Sequence, residues 1–405
     1  MRRSVVFVES NTTGTGALML QAATRLGFES VLLASDPGRY RLNNAETVVS
    51  LDTSSYGSIV HWCKAQTQRR VYGVTSSSEY FVETAARVAE ALNLRGPNSA
   101  AVRAARSKFT QRVRLRSASL RCPYFVHLRP GDNFRQKIAP LSLPVVVKPC
   151  FGSGSVGVRR CSDWESAIGH VESLLAARTN ERGITQPQEV LVEEQIGGDE
   201  YSIEVVASRV IGVTRKHLGP VPHFVEVGHD YPASLSSSDE QALRHTALEA
   251  LCALDLEGAA HVEAKLEAGA ATIVEVNPRL AGGYIPEIVR LASGIDLLGA
   301  FVQWIVGQNP DLTPTRASAA SIRFCLATEA GTLQSVEGHE VAVAVPHIHE
   351  IRMYKSVGDA VAPCGDFRDR IGHVIAVGPA SADTAVSAQA ALSLLRVGIA
   401  AQCVA

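Results

Sequence analysis

The sequence predicts an α/β protein that begins with a parallel sheet and continues into larger α+β units. Strand and helix patterns alternate between residues 4 and 92, as they do in consecutive βαβ units. Pairs of strand patterns joined by short turns dominate residues 145–310, and short strands with one last helix fill residues 318–405. These three observations indicate an amino-terminal parallel domain, central α+β domains and a small carboxyl-terminal α+β part.

The amino-terminal unit is expected at residues 1–97, because Gly96-Pro97-Asn98 interrupts the pattern there. A turn rich in Gly, Ser and Thr, at residues 10–16, separates the first strand from the first helix. Such a turn is either a simple tight connection or a substrate-binding turn at a helix N-terminus. It lacks the full GxGxxG pattern, so a dinucleotide site is not indicated. The expected elements are strands at 4–8, 31–34 and 71–74 and helices at 17–26 and 80–92.

Three further units are expected, at residues 98–190, 191–310 and 311–405. The first of them opens with a helical, basic stretch, which is typical of a solvated helix face. Its basic residues are Arg103, Arg106, Lys108, Arg112, Arg114, Arg116 and Arg121. In the last unit, strands are predicted at 321–326, 340–345, 348–353 and 372–377, with a helix at 381–396. His347 and His349 fit alternation along a strand better than a metal pair, because the sequence offers no third ligand beside them.

The composition argues for a folded protein without a strongly charged partner. The 405 residues include 39 basic and 40 acidic side chains, a formal net charge of −1. We therefore expect neither nucleic acid nor a membrane surface as a partner. No run approaches the roughly 20 apolar residues of a membrane span. The eight cysteines are scattered, without a CxxC pair, which favours reduced thiols and a cytoplasmic location.

The first motif with chemical content is a strand that delivers Lys148, followed by a loop rich in glycine and serine at residues 151–158. Small residues let backbone N–H groups approach phosphate oxygens, and the lysine adds a point charge. The loop lacks the Gly-Lys-Ser/Thr ending of a Walker A sequence. On its own it is either a phosphate-binding loop or a flexible turn. The candidate phosphate contacts in it are Gly152, Ser153, Gly154, Ser155 and Val156.

The second motif is a strand ending in acidic residues, a short turn and a second strand that begins with another acid. Glu193 and Glu200 stand seven residues apart around this turn. They could hold an adenine amino group and a ribose. A hairpin with charged edges would give the same pattern.

The third motif is the most specific. Residues 261–265 and 272–279 each form a strand pattern, with a hairpin loop at 267–271 between them. This pairing brings Glu263 and Glu275 onto adjacent strands, with Asn277 on the same strand face as Glu275. Two carboxylates and an amide oxygen suit Mg²⁺ that bridges nucleotide phosphates. Arg279 follows at the strand end, where it can meet an anion.

In order and spacing, these motifs resemble the ATP-grasp superfamily, over roughly residues 1–310. The resemblance implies ATP and two Mg²⁺ ions, or Mn²⁺ in their place. Lys108 and Lys148 would contact the phosphates, and the 151–158 loop would close over them. Glu193 and Ile196 would hold adenine, and Glu200 the ribose. The implied metal ligands are Glu263, Glu275 and Asn277, with Arg279 beside the reacting phosphoryl group.

Within that superfamily the chain looks most like the L-amino-acid ligases. The match rests on residues 214–233, on the turn at 279–286 and on Ser76-Ser77-Ser78-Glu79. By this resemblance the amino-acid pocket would be lined by Glu79, Glu226, His229, Arg279 and Gly282.

The function implied is an ATP-dependent carboxylate–amine ligase that activates a carboxylate as an acyl phosphate, with amino acids as expected substrates. Lys148 and Arg279 are predicted to act in catalysis, with Glu226 and His229 as candidate bases. A role in making peptide-like natural products is inferred from the resemblance alone. Two alternatives stay open: a carboxylase or phosphoryl transferase on the same scaffold, and a non-catalytic nucleotide-binding regulatory protein. The sequence names neither substrate, and a homodimer is compatible with the resemblance.

Overall fold

The computed structural model describes residues 1–12, 14–40 and 47–401. Thr13, which belongs to the predicted turn at 10–16, and Cys403 lie outside these ranges.

The amino-terminal unit forms the predicted parallel sheet. Its strands pair in the order β3-β2-β1-β4, and every pairing is parallel. Its apolar side chains pack against the flanking helices, with Val6, Leu33 and Ile59 fully buried. The sequence patterns identified three of the strands and two of the helices, but β3 and α2 were not predicted. The elements are β1 (Arg2–Val8), α1 (Thr15–Arg25), β2 (Glu29–Ala34), β3 (Thr47–Ser50), α2 (Tyr56–Lys64), β4 (Arg69–Thr75) and α3 (Val82–Ala91).

Two helices and a small antiparallel sheet follow. The sheet has the strand order β5-β8-β6-β7 and packs on α7 through Val147, Val171 and Val192. The basic stretch is helical where expected, but it also contains a short strand and a short helix. The elements are α4 (Ser99–Arg106), α5 (Lys108–Ser117), β5 (Phe125–Leu128), α6 (Phe134–Ile138), β6 (Val145–Pro149), β7 (Arg159–Cys161), α7 (Trp164–Ala176) and β8 (Val190–Glu194).

A large sheet forms the centre of the molecule, and its strands come from both sides of residue 310. The order is β13-β12-β9-β10-β11-β14-β18-β16, antiparallel throughout. Strand β11 pairs directly with β14, so the sheet continues into the carboxyl-terminal part. The elements before residue 310 are β9 (Asp199–Val206), β10 (Arg209–Leu218), β11 (Glu226–Tyr231), α8 (Ser237–Leu254), β12 (Ala259–Glu267), β13 (Ala270–Asn277), α9 (Ile285–Ser293) and α10 (Leu297–Ile305).

The carboxyl-terminal part adds three strands to that sheet and a small sheet of its own, ordered β17-β15-β19. Its elements are β14 (Ala319–Leu326), β15 (Gly331–Glu337), α11 (His339–Val343), β16 (Ile348–Met353), β17 (Ala360–Val361), β18 (Arg370–Gly378), α12 (Ser381–Leu394) and β19 (Arg396–Ala400).

The strand predicted at residues 340–345 is wrong, because the chain forms the helix α11 there. The alternating Val and Ala residues imitate the two-residue period of a strand. Only the small side chain of Ala342 is fully buried, in the cluster against α12, while Val341 and Val343 are exposed. Strand β16 starts at Ile348, so His347 lies in the preceding turn, with a φ of 70°, and His349 lies on the strand.

The largest hydrophobic cluster joins the amino-terminal sheet to α9, α10 and the large sheet, through residues such as Phe7, Ile288 and Ile322. Within the described ranges, no helix taken singly has the length and apolar character needed to cross a bilayer. Helices α9 and α10 pass that test only as a pair, and they meet at a bend of 105°.

Candidate active site

A cleft between the small and the large antiparallel sheets collects most of the residues singled out in the sequence. The loop after β6 covers one side of it, and strands β9 to β13 form the other. The predicted residues that line it are Lys108, Lys148, Gly152, Ser153, Gly154, Ser155, Val156, Glu193, Ile196, Glu200, Glu226, Glu263, Glu275, Asn277 and Arg279. The remaining three, Glu79, His229 and Gly282, lie next to this lining and are described below.

Two acidic side chains face each other at the centre of the cleft. The β12–β13 hairpin turns through Ala268 and Gly269, both with positive φ, of 49° and 75°. Such a turn matches the twist of the strands it joins and fixes their register. In this register Glu263 is the cross-strand partner of Glu275, as the sequence predicted, and Asn277 lies opposite His261.

Each of these carboxylates already attracts a cation. Lys108 Nζ lies 2.8 Å from Glu275 Oε1, and Lys216 Nζ lies 2.8 Å from Glu263 Oε1. Oxygen donors from two carboxylates and one amide match the ligands that Mg²⁺ prefers. The chemistry of this donor set fits a divalent metal.

Two lysines from different elements line the cleft. Lys108 begins α5 and also donates to the Gly152 carbonyl at 3.0 Å. Lys148 on β6 pairs with the buried Glu193. Burial lowers the pKa of the Lys148 ammonium below its usual value, and Glu193 offsets this only in part. Both lysines line the cleft, where the resemblance predicted contacts to phosphates.

Arg112 corrects the interpretation of the basic stretch as a solvated face. Its side chain is fully buried, and its Nε lies 2.5 Å from Glu193 Oε1. The guanidinium also donates to the Val274 carbonyl and thus ties α5 to β13. Lys108 and Arg112 are one helical turn apart, so they share the inward face of α5. That spacing was the signal available in the sequence.

The glycine-rich loop is folded over the cleft and held by residues distant in the chain. Ser155 Oγ donates to the Phe224 carbonyl at 2.8 Å. The Phe367 amide donates to the Gly154 carbonyl at 3.1 Å. Gly154 has a φ of 67°, and a Cβ there would lie 2.6 Å from the Phe367 ring. Only glycine fits this close approach.

Lys216 is a central residue that the sequence motifs did not assign. It lies on β10, almost fully buried, with Nζ 2.7 Å from Glu200, 2.9 Å from Glu226 and 2.8 Å from Glu263. Burial alone would lower the pKa of Lys216, but these three carboxylates raise it well above its usual value. One ammonium group thus links the predicted ribose, metal and substrate positions.

Arg279 and Glu79 form an ion pair across two units. Arg279 Nε donates to Glu79 Oε2 at 2.9 Å, and Arg279 Nη1 donates to the Leu280 carbonyl at 3.0 Å. Arg106 Nε lies 3.7 Å from the other oxygen of Glu79. The amino-terminal unit therefore fixes the direction of Arg279, which follows strand β13.

The end of the cleft beyond Arg279 has unpaired polar groups and open space. His229 is fully buried on β11, and neither of its ring nitrogens has a hydrogen-bond partner among the described residues. Burial lowers its pKa to about 3, so the imidazole is neutral. Its Nε2 lies 3.6 Å from Glu226 Oε2. Gly282 borders empty space, because a Cβ built there would have no neighbour within 4 Å.

Arg370 from β18 completes this end and was not predicted. Arg370 Nη2 donates to Glu226 Oε2 at 2.6 Å, and the guanidinium stacks 3.9 Å from the centre of the Phe324 ring. Burial alone would raise the pKa of Glu226, but Lys216 and Arg370 hold it well below its usual range. Glu226 is therefore a carboxylate over the whole neutral range.

Comparison with known proteins shows which family has this arrangement. Residues 141–287 match the ATP-grasp domain, and residues 323–400 match L-amino acid ligase C-terminal domain 2. The uncharacterized protein y4rH of Sinorhizobium fredii is 32% identical over 392 residues, which are 95% of this chain and 81% of that protein. The chain belongs to the ATP-grasp superfamily. Within it, the chain is an ADP-forming ATP-dependent carbon–nitrogen ligase related to the L-amino acid ligases.

More distant relatives agree with this placement. Human carnosine synthase 1 is 24% identical over 388 residues, which are 89% of this chain and 46% of that protein. The chain thus spans about half the length of that protein. The crystal structure of L-amino acid ligase from Bacillus licheniformis superimposes with a TM-score of 0.83, at 20% identity, and each chain is covered to 99%. The fold of this ATP-grasp ligase is therefore shared along its whole length.

Proposed function

We propose that this ATP-grasp ligase joins the carboxylate of one amino acid to the amino group of a second substrate, through an acyl phosphate. The observation that carries the proposal is the facing pair Glu263 and Glu275, in one cleft with Lys108, Lys148 and Arg279. These side chains provide the negative and positive charges that phosphoryl transfer needs in fixed positions.

In the proposed first step, a carboxylate oxygen attacks the γ-phosphorus of ATP, the bond to the β-phosphate oxygen breaks, and ADP leaves. Lys108 and Lys148 offset the charge of the phosphate oxygens, and Arg279 faces the phosphoryl group as it is transferred. Glu263, Glu275 and Asn277 would hold Mg²⁺, which would supply positive charge against the phosphate oxygens. Adenine would lie against Ile196, in the connection between β8 and β9, with the ribose at Glu200.

In the proposed second step, a neutral amine attacks the acyl carbon and the bond from that carbon to the phosphate oxygen breaks. The leaving phosphate takes the proton that the nitrogen releases. The glycine-rich loop, held closed by Phe224 and Phe367, would keep water from the acyl phosphate. This closure matters because water competes directly with the amine.

Glu226 and His229 are assigned to binding rather than to proton removal. Each has a pKa below its ordinary value, whereas an efficient base has a pKa near the working pH. The ionised Glu226 suits an ammonium group, and the neutral imidazole of His229 offers an unpaired nitrogen as a hydrogen-bond acceptor. Glu79, through Arg279, connects the amino-terminal unit to the same pocket.

The test is release of ADP and phosphate from Mg-ATP across the twenty amino acids, singly and in pairs, with product masses recorded. Release that requires two amino acids, and a mass equal to their sum minus water, supports the proposal. Dependence on bicarbonate, or a phosphorylated product without an amide, would instead indicate a carboxylase or a phosphoryl transferase. Nucleotide binding without turnover in any mixture would favour a regulatory protein.

A matched pair of variants tests the metal ligands. Glu275→Ala is expected to lower ADP release by at least about a hundredfold, because one metal ligand and the partner of Lys108 are lost. Glu257→Ala removes an exposed carboxylate just before β12 and should leave turnover unchanged. Near-normal ADP release from Glu275→Ala would contradict the metal assignment.

A further inference from the structure

A buried chain of polar side chains lies behind the two facing carboxylates. His261 on β12 is 4% exposed, and Glu204 on β9 is fully buried. The two residues are cross-strand partners, and His261 Nδ1 lies 2.7 Å from Glu204 Oε1. Ser202 Oγ lies between them, 2.6 Å from the ring nitrogen and 2.7 Å from the carboxylate.

The other ring nitrogen of His261 reaches the cleft. His261 Nε2 lies 2.9 Å from Glu263 Oε1, so the ring bridges a buried carboxylate and a carboxylate that lines the cleft. His261 is also the cross-strand partner of Asn277. The imidazole thus contacts one proposed metal ligand, and its backbone pairs with that of a second, although His261 does not itself line the cleft.

Glu204 has a second contact, to the backbone that follows β13. Its Oε2 accepts the backbone N–H of Ala281 at 3.3 Å. Ala281 immediately precedes Gly282, where the substrate end of the cleft opens. The same carboxylate therefore holds both His261 and the turn beside the substrate.

Burying the Glu204 carboxylate and the His261 ring carries a desolvation cost. A carboxylate without any exposure requires charged or polar partners on its oxygens. An apolar pair across β9 and β12 would fill the same space without that requirement. Hydrogen bonds from neighbouring side chains to a metal-binding carboxylate are a recurrent means of fixing the direction of that ligand.

We propose that His261 is a positioning residue that fixes the orientation of Glu263, with Glu204 as its anchor, and that Glu204 couples this metal ligand to the turn at Ala281. The proposal rests on the metal site of the proposed function. It predicts that metal affinity depends on the Nε2 contact in particular, and that loss of Glu204 affects both the metal and the substrate end.

Two substitutions separate the two nitrogens. The amide nitrogen of His261→Asn lies near the Nδ1 position and keeps a donor toward Glu204, while that of His261→Gln lies near the Nε2 position and keeps a donor toward Glu263. The readout is binding of Mn²⁺ to the enzyme with a non-hydrolysable ATP analogue, followed by electron paramagnetic resonance. We expect His261→Asn to weaken Mn²⁺ binding by about 10- to 100-fold and His261→Gln to stay close to wild type.

The matched control is His217, on the same sheet but bonded to Asp230 at 2.5 Å. His217→Asn and His217→Gln should leave Mn²⁺ affinity unchanged. Equal Mn²⁺ affinity in His261→Asn and wild type, or equal losses in His261→Asn and His261→Gln, would overturn the positioning role.

If His261→Asn does not fold, the same titration on Glu204→Gln decides. That variant keeps the side-chain volume, and it should weaken Mn²⁺ binding and also raise the KM for the amino acid. The coupling would be overturned if neither Mn²⁺ affinity nor the KM changed, or if only one of them changed. Absence of Mn²⁺ binding in the wild-type protein would instead refute the metal site itself, and so the two failures are distinguishable.

Discussion

The two ends of the cleft differ in how their polar groups are satisfied. At the proposed nucleotide end, three acidic side chains each have a basic partner: Glu193 pairs with Lys148, Glu263 with Lys216 and Glu275 with Lys108. At the substrate end, His229 is buried with both nitrogens unpaired among the described residues, and Gly282 faces open space. The first end is a preorganised network of ion pairs, whereas the second has hydrogen-bonding groups and space that a bound ligand could fill.

The largest effect is expected where the paired network is broken. Lys216→Met would leave Glu200, Glu226 and Glu263 without their shared cation in a buried environment. We expect a loss of about 3–5 kcal/mol in the free energy of unfolding, measured by denaturant titration. Lys265→Met is the control, because Lys265 is half-buried and makes one weak contact, 3.5 Å to the Ile196 carbonyl. A loss similar to that of the control would refute the central role of Lys216.

Substitution of His229, at the end of the cleft with unpaired nitrogens, should not lower the free energy of unfolding. His229→Leu replaces unsatisfied nitrogens by an apolar group, so stability should be unchanged or slightly higher. The KM for the amino acid should rise about tenfold, because one hydrogen bond to the substrate is lost. Thermal unfolding and steady-state kinetics measure the two effects. A marked loss of stability would show that His229 has partners in the free protein and would remove the contrast between the ends.

Adjacent glycines give a sharper version of the comparison. Gly283 has a φ of 58°, and a Cβ there would lie 2.7 Å from His229 Nε2. Gly283→Ala should therefore cost about 1–2 kcal/mol of stability. Gly282→Ala meets open space, and its effect should be confined to the choice of amino acid, seen as a change in KM. Equal destabilisation by both variants would mean that the space beside Gly282 is not free.

The smallest effect is a pH dependence that His229 alone should contribute. Its folded pKa is about 3, below the ordinary value of about 6.5. The unfolded state therefore takes up a proton first as the pH falls, and stability is lost from pH 6.5 downward. The contribution should be about 1 kcal/mol between pH 6.5 and 5.5. Unfolding free energies of wild type and His229→Leu should diverge over this range; parallel curves would contradict the assignment.

The pairing of Glu263 with Glu275 could be predicted because the information for it is local in the chain. The hairpin that pairs Glu263 with Glu275 spans thirteen residues, and its turn sets the register. Strand periods and glycine positions therefore sufficed. The fold class was predictable for the same reason, since strands that alternate with helices in sequence form a parallel sheet.

The residues missed are those whose partners are far away in sequence. Lys216 meets carboxylates from three other strands, and Arg370 meets Glu226 across 144 positions. Arg112 was assigned to a solvated face because helix charge patterns alone do not show which side is buried. Helix α11 was predicted as a strand because its Val-Ala alternation carries the wrong period.

The pairing of β11 with β14 has a consequence for how this protein can be divided. A chain ending near residue 310 would lack β14, β18 and β16, and β11 would then present a row of unpaired N–H and C=O groups to solvent. Exposed strand edges of this kind template association with other chains. The carboxyl-terminal part therefore protects the β11 edge from association with other chains. A shortened protein should sediment as oligomers even though every proposed ATP contact is still present.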